Sequence, residues 1–288
     1  MPLAEFAARP FLKWAGGKAQ LLDQFSPHFP RHWKTFYEPF LGGGAVFFRL
    51  AQTYPERRYV LSDLNPELIN AYVCVRDQVE DLIALLQEHQ ARHGRDYYYA
   101  LRASKPTDPV QRAARLIYLN KTCFNGLYRE NSRGEFNVPL GRYKNPTICD
   151  ASGLRAASRV LQGVELHVRP FEWVVEQAEA GDFVYFDPPY YPVSATSNFT
   201  GYNGCGFGEA DQVRLRDVFV SLAGRGVQVL LSNSDCEFVR QLYRDFVIYS
   251  VAAKRCINSR AERRGAVGEV LVAGVCGIHP KPIGLDHA

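Results

Sequence analysis

Asp187-Pro188-Pro189-Tyr190 is the tetrapeptide whose residue types and order point most directly to chemistry. It follows Phe183-Val184-Tyr185-Phe186, an apolar, aromatic run that reads as a buried strand of a parallel sheet. Prolines cannot donate to a ladder, so the pair stops the strand and stiffens the turn at its carboxyl end. In open α/β sheets, ligands bind at that end. The turn presents a carboxylate, the Pro188 carbonyl and an aromatic ring, a set that suits an aromatic amine. The amino group of adenine is a poor nucleophile because its lone pair is delocalised into the ring. Asp187 and the Pro188 carbonyl can accept both amine hydrogens and draw the nitrogen towards tetrahedral geometry. The lone pair is then free to attack an electrophile, while Tyr190 stacks on the base. Asp-Pro-Pro also closes ordinary strand-ending turns, and the four residues alone admit that reading.

A second constellation lies nearer the N-terminus. Thr35-Phe36-Tyr37-Glu38-Pro39-Phe40 reads as a strand entering Gly42-Gly43-Gly44, and Ala45 to Leu50 follows as a helix. Arg58 to Asp63 is the next strand, which places a carboxylate about twenty residues after the glycines, where it can bond ribose hydroxyls. Two commoner nucleotide motifs fail on detail. The third glycine of a dinucleotide fingerprint would fall at Phe47. A phosphate loop on Gly17-Lys18 would need glycine at Leu12 and serine or threonine at Ala19. A nucleoside without a pyrophosphate remains, and S-adenosylmethionine is an electrophilic one. The bland alternative is a flexible turn at Gly42 to Gly44, with Asp63 capping the helix that starts at Asn65-Pro66.

Both constellations require a sheet to hold them. At 288 residues and 47% hydrophobic, the chain can bury a large core. Strand–helix alternation opens the chain and resumes through Val164 to Val168, Val227 to Leu231 and Val270 to Val272. Between them, Leu68 to Leu119 has a helical pattern broken at Lys105 to Pro109, and Asn120 to Asn145 is rich in Gly, Asn, Arg and aromatics. An α/β sheet interrupted by a helical insertion accounts for this order. A net charge of +4 fits a nucleic-acid partner weakly. No apolar run reaches membrane-spanning length, and Met1 to Arg9 has no signal-peptide core. Seven scattered cysteines without a Cys-x-x-Cys pair suit a reduced, cytoplasmic protein. His89 and His93 share i, i+4 spacing, but no carboxylate completes a metal site, so a solvated helix face and no metal are expected.

Between Lys121 and Lys144, five basic residues (Lys121, Arg129, Arg133, Arg142, Lys144) alternate with Phe124, Tyr128, Phe136 and Tyr143. Turns at Asn125-Gly126 and Arg133-Gly134 suit a hairpin that enters a groove, or one that is merely solvated. After Tyr190 comes a Ser-, Thr- and Gly-rich stretch whose hydroxyls can meet phosphates. A second basic run, Lys254-Arg255 with Arg260, Arg263 and Arg264, suits phosphate binding or a solvated loop equally.

Several motifs together resemble the Dam family of DNA adenine methyltransferases. They are Phe11-Leu12-Lys13-Trp14-Ala15-Gly16-Gly17-Lys18, Tyr37 to Gly44, Ser62-Asp63-Leu64-Asn65 and the Asp-Pro-Pro-Tyr, in that family's order from about Pro10 to Val275. The resemblance implies a Rossmann-like, seven-stranded S-adenosylmethionine-dependent methyltransferase sheet with an inserted helical target-recognition domain carrying a β-hairpin. It divides the chain into a first catalytic part at 1–65, a recognition domain at 66–149 and a second catalytic part at 150–288. It implies that Trp14, Lys18, Phe40, Gly42, Gly44, Asp63 and Asp187 contact S-adenosylmethionine. An indole can pack on a nucleoside or sulfonium, and an ammonium can pair with the methionine carboxylate.

Phe124 to Arg129 and Arg133 to Lys144 are similar to the recognition segment of GATC-specific Dam enzymes. That similarity assigns a guanine to Arg129, the thymine methyl to Leu127 and Pro139, a stacking wedge to Phe124 and the opened pair to Asn125. It places Lys13 at the first base pair, Arg142 and Tyr143 on the backbone of double-stranded DNA, and Ser194 and Asn198 beside a flipped base. Tyr128 departs from the smaller residue expected, which leaves flanking preference open. The expected reaction is methyl transfer to the 6-amino group of adenine, with Asp187, Pro188 and Tyr190 catalytic. The alternatives are the same chemistry on other DNA or RNA, or a silent DNA-binding relative.

Overall fold

Apolar runs pair into one sheet in the computed structural model, which describes residues 7–14, 16–192, 206–252 and 268–274. Among these residues the strands are β1 (Thr35–Glu38), β2 (Arg58–Asp63), β3 (Glu165–Val168), β4 (Phe183–Phe186), β5 (Gln228–Ser234), β6 (Val247–Ala252) and β7 (Gly268–Gly274). Their order is β3-β2-β1-β4-β5-β7-β6. Neighbours are parallel from β3 to β5, and β7 runs antiparallel to both β5 and β6. The expected seven-stranded α/β methyltransferase sheet is therefore present. The strand order reverses between β1 and β4, and the crevice at such a point receives ligands. The expected strand through Phe40 stops at Glu38, because Pro39 has no N–H to continue the ladder.

Alternate side chains point to opposite faces and build two apolar layers. Phe36, Tyr59, Leu61, Phe183, Tyr185 and Leu230 face α1 (Leu22–Phe25), α2 (Ala45–Thr53) and the helices of the insertion. Tyr37, Val60, Val184, Phe186, Val229 and Leu231 belong to the other layer.

Four helices follow β2: α3 (Pro66–Asp77), α4 (Val79–Ala91), α5 (Arg95–Ala103) and α6 (Pro109–Thr122). Asn65 caps α3 by accepting from the Glu67 and Leu68 N–H groups, and Asp108 caps α6 through Gln111. Both α3 and α6 have proline in the first turn, where no N–H is missed. The continuous pattern read from Leu68 breaks twice more than expected, at Gln78 and near Gly94. The non-helical Gln78 (φ −139°) lets α3 and α4 both pack on α6. The apolar side chains of the insertion run without a gap into those of α2 and of α7 (Ala151–Leu161). Three helices complete the other layer: α8 (Val174–Gln177), α9 (Glu209–Gly224) and α10 (Glu237–Leu242).

His89 and His93 correct the expectation of a solvated face. Both are half-buried, with Nδ1 2.7 Å from the Tyr97 hydroxyl and 2.8 Å from the Tyr118 hydroxyl respectively. Burial lowers both pKa values. No described helix is long and apolar enough to cross a membrane.

Candidate active site

At the carboxyl end of β1 the chain turns sharply, with Gly42 at φ 47° and Gly44 at φ 66°. Side chains at these positions would be strained, and they would also collide. A Cβ on Gly42 would lie 2.8 Å from Trp14 Cδ1, and one on Gly44 2.8 Å from the Tyr72 hydroxyl. The turn is tied to β2 through Asp63, whose Oδ2 accepts the Gly42 N–H at 3.2 Å and whose Oδ1 accepts the Asn65 N–H at 2.9 Å. Burial raises the Asp63 pKa, opposed by N–H bonds from Asn65, Gly42 and Leu64. Tyr72 donates to the Gly42 carbonyl at 3.1 Å. Phe40 stacks on Phe171, with ring centroids 5.4 Å apart.

Asp187 stands one residue beyond β4. The register pairs Phe186 with Leu231, which brings Ser232 alongside Asp187. Ser232 donates to Asp187 Oδ1 at 2.9 Å, and Lys18 Nζ lies 2.8 Å from the same oxygen. Lys18 is 3% exposed and also donates to the Gly16 carbonyl. Burial raises the Asp187 pKa, opposed by the Lys18 charge and the two hydrogen bonds. Oδ2 is the Asp187 oxygen to which no described group donates. Pro188 is buried, and none of the described residues donates to its carbonyl. Lys18 Nζ sits 4.5 Å from the Tyr190 ring centroid, and the Tyr190 hydroxyl donates to Glu269 Oε2 at 2.7 Å.

Trp14, Lys18, Phe40, Gly42, Gly44, Asp63, Asp187, Pro188 and Tyr190 all line one cleft of about 1990 Å³. Segments about 170 residues apart in sequence thus converge at the point where the strand order reverses. Three residues beside this site have no role assigned in the sequence reading. Glu38, 3% exposed, accepts the Phe47 N–H at 3.0 Å, and burial reinforced by the Asp187 charge holds its carboxyl well above the usual range. An acidic residue ending an apolar strand is a usable signal for it. Ser232 and Glu269 carry no local signal, since strand register alone brings them in.

Of the described residues expected at DNA, Lys13 lines this cleft, whereas Phe124, Asn125, Leu127, Arg129, Pro139, Arg142 and Tyr143 do not; their neighbours Tyr128, Glu130 and Asn137 do. The segment from Cys123 folds back through bridges Cys123↔Leu140 and Glu130↔Phe136, with the Asn137 N–H bonded to the Arg129 carbonyl at 3.0 Å. The hairpin is thus a pair of loosely bridged segments rather than a regular ladder. Pro139 has no N–H, and Asn125 (φ 55°) with Gly126 (φ 65°) coils the first segment. Phe124 is 50% exposed, and its N–H bonds the Pro139 carbonyl. Asn125, Pro139, Arg142 and Tyr143 are exposed, while Leu127 is half-buried. Lys13 Nζ lies 4.1 Å from the Tyr143 ring centroid. Arg129 is exposed, with Nε held by Asn137 Oδ1 at 2.6 Å. Asn120 ties this segment to the Lys13-Trp14 segment: it accepts from Lys13 N–H and donates to the Lys13 and Gly126 carbonyls. Tyr128 turns inward and stacks on Trp14 with centroids 5.5 Å apart. Ala15, Ser194, Asn198 and the basic run from Lys254 to Arg264 lie outside the described residues.

A family model described as D12 class N6 adenine-specific DNA methyltransferase matches residues 14–257. A Type II methyltransferase of Lactococcus lactis subsp. cremoris is 45% identical over 272 residues, covering 92% of this chain and 94% of the relative. A Type II methyltransferase of Methanocaldococcus jannaschii is 42% identical, covering 89% and 95%. The DNA adenine methylase of Escherichia coli (strain K12) is 36% identical, covering 91% and 94%. The matched span contains the glycine turn, the insertion and the Asp-Pro-Pro-Tyr that the sheet gathers into one cleft. The chain belongs to the D12 class of N6 adenine-specific DNA methyltransferases.

Proposed function

We propose that the enzyme methylates adenine within GATC in double-stranded DNA, with S-adenosylmethionine as donor and the target base turned out of the helix. The observation that carries this reading is the pair of acceptors, Asp187 Oδ2 and the Pro188 carbonyl, beside the Tyr190 ring in the cleft.

The residues present fit the donor. Gly42 and Gly44 form a backbone cradle that any side chain would fill, and half-buried Asp63 offers lone pairs to a ribose. Trp14, Phe40 and Lys18 would enclose the remainder. Two of the three Lys18 donors go to Asp187 and Gly16, which leaves one for a ligand carboxylate. When bound, S-adenosylmethionine supplies a methyl group on a positively charged sulfur.

The two acceptors hold the amine hydrogens so that the nitrogen lone pair leaves conjugation and points at the methyl carbon. As the new N–C bond forms, the sulfur–methyl bond would break with its electron pair left on sulfur as a neutral thioether, and the surplus amine proton would move towards Asp187 Oδ2. Lys18 and Ser232 fix Oδ1, so the free oxygen keeps its aim. The acceptors lie in a cleft that a stacked base cannot reach, which is the physical argument for base extrusion. Residues 66–149 form the proposed recognition unit. Phe124 would fill the gap in the stack, and Arg129, braced by Asn137, would read a guanine edge.

Methylation rates on duplexes carrying GATC or single-base variants test the target. Arg129→Ala is expected to relax selectivity at one guanine, by about 1–3 kcal/mol of discrimination, and to leave non-specific affinity nearly unchanged. Uniform loss on every duplex would move Arg129 to the phosphate-binding class and remove the main support for GATC.

A further inference from the structure

Gln212 on α9 and Asn233 on β5 are both completely buried, although neither lines the cleft. Asn233 Oδ1 accepts the Tyr191 N–H at 3.1 Å and the Ser234 N–H at 2.8 Å. Asn233 Nδ2 donates to Gln212 Oε1 at 3.0 Å, and Gln212 Nε2 donates to the Pro189 carbonyl at 2.9 Å. The direction of this chain is forced. Backbone N–H groups can only donate, so Asn233 must present its oxygen to them and its amino group to Gln212. Gln212 is then left with its own amino group, and a carbonyl is what it meets.

The pair therefore grips the peptide groups on both sides of Tyr190, through the Pro189 carbonyl and the Tyr191 N–H. Ser234 Oγ adds a bond to the Tyr191 carbonyl at 2.7 Å. Two proline rings fix φ at Pro188 and Pro189, and the amide pair fixes what the rings leave free. Burying two primary amides is costly unless every group is matched, and apolar side chains would fill the same space without that cost. What apolar groups cannot do is hold two peptide units at once.

We propose that Gln212 and Asn233 are positioning residues that aim the Pro188 carbonyl and the Tyr190 ring, and so control the methyl-transfer step rather than ligand binding. This rests on the reading of Asp187 and Pro188 as acceptors for the amine. It extends the active site to a buried residue of α9, a helix whose Asp211 and Arg214 line the cleft.

The test measures kcat, KM for S-adenosylmethionine and duplex affinity for wild type, Asp187→Ala, Gln212→Met and Gln212→Glu. Gln212→Met is expected to lower kcat at least about tenfold and to leave KM and affinity within about threefold. Gln212→Glu keeps the volume and the acceptor for Asn233 but loses the donor to Pro189 while ionised. Near pH 8 its kcat is expected to fall by about the same factor. Towards about pH 6 the protonated acid regains a donor, so the ratio of its kcat to that of wild type is expected to rise. A purely structural role would leave that ratio flat, and a flat ratio overturns the proposal even if Gln212→Met does not fold. Normal kcat in folded Gln212→Met, with Asp187→Ala inactive, overturns the positioning role alone. Substantial activity in Asp187→Ala overturns the reading of the acceptors and this proposal with it.

Discussion

Glu38, Asp187 and Lys18 put two carboxyl groups and one ammonium into a largely buried corner of the sheet, with the ammonium bonded to Asp187. Burial and the Asp187 charge raise the Glu38 pKa in the folded state. The folded protein then binds more protons than the unfolded chain. The stability Glu38 contributes is fully present below the ordinary carboxylate value of about 4.3 and is lost as pH rises through the raised folded value. Glu38→Gln keeps an oxygen for the Phe47 N–H and removes the titration. Its stability relative to wild type is expected to grow as pH rises from about 5 to about 8, read by urea unfolding at several pH values. A difference that stays flat or shrinks would contradict the assigned cause. Asp187 and Asp63 were legible in the sequence because each ends an apolar strand. Glu38 does the same, but Pro39 follows it and the strand appears to run on to Phe40 until the ladder is seen. The sequence reading gave Tyr190 a stacking ring and no partner for its hydroxyl. Its bond to Glu269 means that Tyr190→Phe leaves a carboxylate without its donor.

The glycine turn after β1 couples two elements, and its geometry sets a prediction of its own. Gly44→Ala puts a Cβ into the left-handed region and against the Tyr72 hydroxyl. The backbone strain alone is about 1–2 kcal/mol. The expected outcome is a lower melting temperature together with weaker S-adenosylmethionine binding, followed by Trp14 fluorescence, while duplex affinity changes little. Unchanged cofactor binding would detach the turn from the cofactor site. Strand and helix types were readable from local pattern, down to the helix start at Asn65-Pro66. The break at Gln78 was not, because no proline or glycine marks it and only packing on α6 requires it. Tyr128 was read as a departure in the recognition segment. The structure gives the ring a packing partner, Trp14, about 110 residues earlier in the chain, and no local pattern can report such a contact.

The arrangement of the chain brings part of the insertion to the same cleft as Asp187. The insertion leaves the sheet after β2 and returns to β3, the edge strand beside β2, and its residues Tyr128, Glu130 and Asn137 line the cleft at the carboxyl ends of β1 and β4. Asn120 then fixes Lys13 and Gly126 to each other across that join. This order of elements was foreseeable from the alternation of patterns, whereas the antiparallel insertion of β7 between β5 and β6 was not. Exposed cations of the insertion that meet phosphates should behave differently from Arg129. Arg142→Ala is expected to weaken binding to all duplexes and to reduce the slope of affinity against salt by about one unit. An unchanged salt slope would take Arg142 off the DNA backbone.

The central claim is that Asp187 and its turn direct methyl transfer to adenine nitrogen within one short sequence. The most direct measurement is to incubate wild type or Asp187→Ala with S-adenosylmethionine and unmethylated DNA of mixed sequence, then map every methylated base. The expected map has N6-methyladenine at GATC on both strands for wild type, and none for folded, DNA-binding Asp187→Ala. Methylation at a different sequence, on cytosine, or undiminished in the Asp187→Ala variant would contradict the account.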